Sequence, residues 1–136
     1  MKTIILAAGY ATRLYPLTLN TPKSLLTIGN KPIIDYILDN IEMTQQIEDV
    51  FVVTNHKFFT QFQRWLVAKQ KVSNLCIKLI NDGSTSLENK LGAIGDINLA
   101  ISRENIDDDL LCRCRYFCAR LVYWSHGRKR RAIRMG

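Results

Sequence analysis

Short apolar runs alternate with amphipathic stretches along the first 109 residues of the chain. TIILAA (Thr3 to Ala8) is continuously apolar and ends at a glycine, the pattern of a parallel strand buried on both faces. VFVVT (Val50 to Thr54) is a second such strand, β-branched and aromatic, and LCIKLI (Leu75 to Ile80) a third. Between the first two, Pro32 is placed for a first helical position, and Ile33, Ile34, Ile37, Leu38 and Ile41 recur at helical spacing. Phe58, Phe59, Phe62, Trp65 and Leu66 mark one side of a second helix. From Gly92 onward, Ala93, Ile94, Ile97, Ala100 and Ile101 suit a third, and Leu110 and Leu111 begin a fourth strand. The order β-loop-α-β-α-β-α-β predicts an α/β, Rossmann-like fold with a mostly parallel sheet covered by helices.

The connection after the first strand is long and rich in Gly, Thr, Asn and Pro, and Pro16 and Pro22 oppose a helix through it. In an open parallel sheet, ligands bind outside the carboxyl ends of the strands, where this loop emerges. Gly9 lets backbone approach a ligand closely, and successive N–H groups in such a turn form an anion-binding nest. Arg13 adds a planar fork suited to phosphate oxygens and Lys23 a compact point charge. Neither G-x-x-x-x-G-K-[ST] nor G-x-G-x-x-G occurs, so this is neither a P-loop nor the dinucleotide fingerprint.

Net charge, +7 over 136 residues, changes the picture only once it is located. Residues 1–109 carry 11 Lys and Arg against 12 Asp and Glu, whereas residues 110–136 carry 8 basic residues and no acid. Cys112, Cys114 and Cys118 also lie in the tail, leaving Cys76, read as a core residue, in the body. The body's composition is that of an ordinary globular protein, and free thiols fit a cytoplasmic setting. No apolar run approaches the ~18 residues needed to span a bilayer, and the N-terminal run is too short for a secretory h-region. The tail's C-x-C-x3-C with a distant His126 is not a standard zinc spacing. GRKRR lacks the stacking aromatics of a nucleic-acid module, so neither a metal centre nor nucleic-acid binding is expected.

The string ILAAGYATRLYPLTLNTPKSLLTIGNKPIIDYILDNI resembles, nearly position by position, the opening of the sugar-1-phosphate nucleotidyltransferases. Their pattern runs L-A-A-G-x-G-T-R-L-x-P-L-T, then P-K, then K-P and a helix. The likeness continues more loosely through about residue 109. It implies an enzyme that transfers a nucleotidyl group from an NTP to a sugar 1-phosphate or similar phosphorylated acceptor, releasing pyrophosphate. The acceptor phosphate attacks the α-phosphorus in line, so positioning and charge neutralisation carry catalysis. On this likeness Ala8, Gly9, Tyr10, Ala11 and Thr12 bind the nucleotide, Arg13 faces its outer phosphates, and Lys23 bridges the α-phosphate and the acceptor. Asn81 stands where a base-reading amide ends the third strand, and Gly92 matches the glycine beneath the base. Ala11 replaces the motif's second glycine, a mild change if its φ is negative. Which NTP and which acceptor are used, and the oligomeric state, are left open.

The family's fourth strand ends in an Asp that holds Mg²⁺ against the triphosphate. At that point this chain reads CRCRYFCARLVYWSHGRKRRAIRMG, without a carboxylate, and Asp107 to Asp109 precede the strand at its wrong end. The expectation is therefore a truncated domain: residues 1–111 form the nucleotide-binding part, and residues 112–136 a basic, cysteine-containing tail. The tail has the marks of a frame shift. One codon choice for CRCRYF, TGT CGT TGC AGA TAT TTT, reads V-V-A-D-I-F one base on, a strand closing in Asp. The alternative to an enzyme is a catalytically dead nucleotide-binding remnant that lacks the metal Asp and the acceptor half.

Overall fold

The computed structural model describes residues 1–106, and the backbone of residues 110–113 and 123–124. Its elements in chain order are β1 (Lys2–Leu6), β2 (Thr27–Ile28), β3 (Lys31–Pro32), α1 (Ile33–Thr44), β4 (Asp49–Thr54), α2 (Phe59–Lys69), β5 (Cys76–Asn81), α3 (Gly92–Glu104), β6 (Leu110–Arg113) and β7 (Tyr123–Trp124). The strands of the main sheet run β5-β4-β1-β6-β7. β5, β4, β1 and β6 are mutually parallel, with β1 in register from Lys2↔Asp49 to Leu6↔Val53 against β4 and from Lys2↔Leu110 to Ile5↔Arg113 against β6. β7 runs antiparallel to β6. The Rossmann-like α/β fold expected from the alternation is the fold observed.

The sheet's two faces bury alternate residues of the same strands. Ile5, Ala7, Val50 and Val52 meet Ile34, Leu38 and Ile41 of α1 and Phe58 and Phe62 beside and within α2. Ile4, Ala8, Phe51 and Val53 turn the other way, toward Ala100 of α3 and Ile106. Cover on both sides is why β1 and β4 read as unbroken apolar runs rather than as alternations. α1 and α2 are also tied across their polar sides, Trp65 Nε1 donating to Asp35 Oδ1 at 2.8 Å and Lys69 Nζ lying 3.5 Å from Asp35 Oδ2.

Four local readings are corrected. Pro32 is not the first helical residue: it pairs with Thr27 in the β2–β3 hairpin at ψ 150°, and α1 starts one residue later. Ile94 stands on the outer side of α3, 75% exposed, because the stripe facing the sheet runs through Asp96, Ile97 and Ala100. Cys76 is exposed, not core: β5 is an edge strand, and Cys76 and Lys78 are left uncovered at the start of the face that buries Ile80 farther along, while Ile77 is buried on the other face. The first strand leaves the sheet at Leu6 rather than Ala8, although the Ala7 N–H still reaches the Val53 carbonyl at 2.8 Å.

The connections place a crevice. From β1 the chain steps through α1 to β4 and through α2 to β5, always outward on one side. α3 then returns it to β6, on the opposite side of β1. The order of strands therefore reverses at β1, and the crevice at its carboxyl end is the ligand position of such sheets.

Candidate functional site

The loop that crosses this crevice is shaped by one backbone inversion. Ala11 sits in the left-handed region (φ 49°, ψ 44°) and caps a single 3-10 turn, Thr12–Leu14. Its carbonyl accepts the Leu14 N–H at 2.9 Å and the hydroxyl of the buried Thr18 at 2.8 Å. The condition under which Ala11 would be a mild replacement, a negative φ, is not met: the turn keeps the glycine conformation while the sequence supplies a methyl group. An L-residue pays about 1–2 kcal/mol in this region, partly offset because alanine has less chain entropy to lose than glycine. Ala11→Gly is therefore expected to stabilise the fold by about 0.5–1 kcal/mol, raising Tm by roughly 2–5 °C. A melt unchanged or lowered by this substitution would show that the inversion carries no strain.

Gly9 has a different reason to be glycine. Among the described residues a Cβ there would meet no atom within 4 Å, so their packing does not exclude a side chain and leaves the space ahead of the backbone open. Tyr10 points inward, buried, with its ring 6.5 Å from that of Phe58 and its hydroxyl 3.5 Å from Ser84 Oγ. Thr12 and Arg13 are exposed on the turn. Lys23, half-buried, opens a second 3-10 turn, Lys23–Leu25, whose Leu25 leans on the α1–α2 core.

Asn55, immediately after β4, anchors this loop and was not singled out from sequence. It is wholly buried; its Nδ2 donates to the Ala8 carbonyl and its Oδ1 accepts the Phe58 N–H, both at 3.0 Å. One side chain thus satisfies the last residue before Gly9 and the start of α2. The signal in the sequence was a lone amide closing the apolar run VFVVT, a residue type rarely buried without partners.

Opposite the loop, Asn81 ends β5 as expected. Its Oδ1 accepts the Gly83 N–H at 2.8 Å, which fixes the amide so that Nδ2 lies 2.9 Å from His56 Nδ1. His56 is the turn residue expected, and its N–H bonds the Ser84 carbonyl at 2.9 Å. Gly92 opens α3 at φ 76°, a conformation that suits glycine, again with nothing within 4 Å of its missing Cβ. The structure therefore brings Ala8 to Thr12, Asn81 and Gly92 to one end of the sheet, linked through Tyr10 and Ser84.

Beneath Asn81 and Gly92 lies a pair of carboxyl groups. Asp82 accepts the Ser84 N–H on Oδ1 at 2.7 Å and the Ser84 hydroxyl on Oδ2 at 2.9 Å. Asp96, one turn into α3 and 5% exposed, faces Asp82, and among the described residues its Oδ1 has no hydrogen-bond partner. Burial foremost, then the neighbouring Asp82 charge and hydrogen bond, pushes the Asp96 carboxyl up to about 6.

Magnesium does not fit what is present at the fourth strand. Mg²⁺ demands oxygen ligands in near-octahedral array, and residues 110–136 include no Asp or Glu. Among the described residues no group of three or more His, Cys, Asp or Glu is placed to hold a metal ion. The readings of Asp107 to Asp109, of the tail cysteine side chains and His126, and of GRKRR lie outside the described residues. A shallow cleft lined by Glu42, Gln45, Ile47, Glu48, Asn74 and Leu75 sits at the amino ends of β4 and β5, away from this site. Among the described residues no helix is long and apolar enough to cross a membrane.

Residues 2–116 match the family model described as nucleotidyl transferase. A choline-phosphate cytidylyltransferase of Streptococcus pneumoniae is 43% identical over 56 residues, 41% of this chain and 24% of that protein. A glucose-1-phosphate thymidylyltransferase of Neisseria gonorrhoeae is 46% identical over 66 residues, 48% of this chain and 23% of that protein. Among solved structures, a UDP-glucose pyrophosphorylase complexed with UDP-glucose shares the fold at a TM-score of 0.60 and 21% identity, over 82% of this chain and 44% of that one. The chain thus spans less than half the length of these relatives.

Proposed function

Because this chain belongs to the nucleotidyl transferase family, we propose that the crevice at the carboxyl end of β1 binds a nucleoside triphosphate for transfer of its nucleotidyl group. The acceptor in this reading is a sugar 1-phosphate or a similar small phosphorylated molecule, in a cytoplasmic setting. The observation that carries it is the loop of residues 8–14: an inverted turn held from below by Asn55 and Thr18, with open space before Gly9 and Arg13 exposed on its outer side. Backbone N–H groups of such a turn complement phosphate oxygens, and the Arg13 guanidinium neutralises the charge of the outer phosphates. Lys23, from the second turn of the same connection, takes the α-phosphate and the acceptor oxygen that attacks it. Asn81 and Gly92 form the base side, Asn81 offering the second hydrogen of its fixed amide while Gly92 leaves room for a ring.

Chemistry of this kind needs no protein nucleophile. The acceptor phosphate oxygen forms a bond to the α-phosphorus as the bond to pyrophosphate breaks, and the protein's share is alignment and positive charge. A second reading, nucleotide binding without turnover, is favoured by one specific observation, the lack of any carboxylate in residues 110–136.

Arg13→Ala tests the site. Loss of a charge-assisted hydrogen bond to phosphate is expected to weaken triphosphate binding by about 1.5–3 kcal/mol. Calorimetry with CTP, UTP, dTTP and GTP in turn reads this. Equal affinity in wild type and variant would remove Arg13 from the site, and pyrophosphate release by the wild-type chain with Mg²⁺ and a sugar 1-phosphate would decide between the two readings.

A further inference from the structure

Two carboxyl groups, Asp82 and Asp96, face each other under the base side of the crevice. We propose that Asp82 and Asp96 share one proton, which makes them a clasp between the end of β5 and the start of α3 and so positions Asn81 and Gly92 for the nucleotide. The inference rests on the reading of the crevice as a nucleotide site.

Placement of the proton follows from the donors. Asp82 receives two, the Ser84 N–H and the Ser84 hydroxyl. Asp96 receives none at Oδ1, is 5% exposed, and is flanked on its helix by the apolar contacts of Ile97 and Ala100. A buried carboxylate without a donor is the costly state, and a carboxylic acid that donates to a neighbouring carboxylate is the inexpensive one. Asp96 therefore carries the proton and Asp82 accepts it.

The clasp is set between the two pieces of chain that matter. Asp82 directly follows Asn81, and Asp96 lies one helical turn after Gly92. Ser84, held by Asp82, also accepts the His56 N–H on its carbonyl, and its hydroxyl is in reach of Tyr10 in the phosphate loop at 3.5 Å. Loss of the shared proton puts two negative charges together where water is scarce. The 82–84 turn must then swing away from α3, and the supports of Asn81, His56 and Tyr10 move with it.

Among the described residues, the charged and titratable neighbours do not supply a substitute for the proton. The sheet face under α3 is apolar, made by Ile4, Ala8, Phe51, Val53 and Ile80. Arg103, on the same helix, is spent on the Asn81 carbonyl at 3.3 Å, and Lys78 on Glu104 at 3.2 Å. His56 is engaged with Asn81, and Tyr10 stands beyond Ser84. Asp82 is the charge that Asp96 meets.

The test compares the wild-type chain with Asp96→Asn and Asp96→Ala between pH 5 and 8, with CTP, UTP, dTTP and GTP as probes in calorimetry. Asparagine keeps a neutral donor toward Asp82, and the ratio of wild-type to variant affinity cancels the ionisation of the nucleotide itself. Expected are equal affinities for wild type and Asp96→Asn at pH 5, and a wild type weaker by at least about fivefold at pH 8, the low end of couplings between linked sites. Asp96→Ala, with no donor, is expected to bind weakly at every pH. A wild-type to Asp96→Asn ratio that stays flat across the series overturns the clasp.

Carboxyl-carbon NMR of the labelled wild-type chain needs no folded variant. One of the two groups titrating well above the ordinary aspartate range supports the shared proton, and ordinary titration of both overturns it. Thermal shifts with Mg²⁺ alone at pH 8 that raise the wild type and not Asp96→Asn would assign a cation in place of the proton, and also overturn it. Should none of the four triphosphates bind at any pH, the nucleotide reading falls and the positioning role with it. The NMR titration still separates that failure from failure of the pair.

Discussion

Replacing Asn55 by alanine is expected to cost about 2–5 kcal/mol of folding stability, since it orphans two buried backbone groups at about 1–3 kcal/mol each. The side chain is wholly buried and joins the Ala8 carbonyl to the Phe58 N–H, both at 3.0 Å. Water cannot replace it without opening the packing of Phe58 and Ala8 on either side of the sheet. Asn55→Asp separates the two bonds: the remaining oxygen still accepts from Phe58, but an acceptor now faces the Ala8 carbonyl, and a buried charge is added. That variant is expected to be at least as unstable as alanine at neutral pH. Urea unfolding with an unchanged m-value reads both effects as a shift in midpoint. A loss under about 0.5 kcal/mol, the range of ordinary surface substitutions, would show that Asn55 does not hold the loop. Because Ala8 leads into Gly9, nucleotide affinity is expected to fall together with stability.

What could be read from sequence follows a physical line. Strands covered on both faces must be apolar at every position, so Ile4 and Ile5, or Val50 to Val53, announced themselves without knowledge of their partners. The loop after β1 was legible as a string because Gly9, Arg13 and Lys23 sit at spacings that single residues do not reveal. Its inner geometry was not. A left-handed Ala11 cannot be seen in a residue type that shuns that region, and only the hydroxyl of Thr18 bound to its carbonyl explains how the turn is held. The β2–β3 hairpin is two residues a side, too short to show a period. Cys76 is exposed although its run is apolar enough for a doubly buried strand; Lys78, two residues on, marks the same end of the strand as uncovered. Asp96 interrupts the apolar positions of α3 in a hydrophobic count, yet it lies one turn from Ala100 on the stripe that faces the sheet.

That position gives Asp96 an effect on stability that is measurable without any ligand. Its carboxyl is pushed from the ordinary aspartate value of 3.8 to about 6 by burial and by Asp82. The folded chain therefore holds this proton more tightly than the unfolded chain does. Between about pH 4 and 6 the native state binds more protons, so stability falls as pH rises through that window. Below pH 4 the group is protonated in both states, and above about pH 7 it is ionised in both; the penalty is then complete and constant. A difference of roughly two pKa units corresponds to about 3 kcal/mol at 1.36 kcal/mol per unit. Asp96→Asn removes the ionisation while keeping the volume and a donor. Unfolding free energies of the two chains are thus expected to run close together at pH 4 and to diverge in favour of Asp96→Asn to about 3 kcal/mol at pH 8. Urea denaturation at half-unit steps of pH follows the divergence, which is half complete midway between the unfolded and folded pKa values and levels off above the folded one. Curves that stay parallel from pH 4 to 8 would mean that Asp96 ionises as freely in the folded chain as in the unfolded one, and that its burial against Asp82 is relieved by movement of α3 rather than by a held proton.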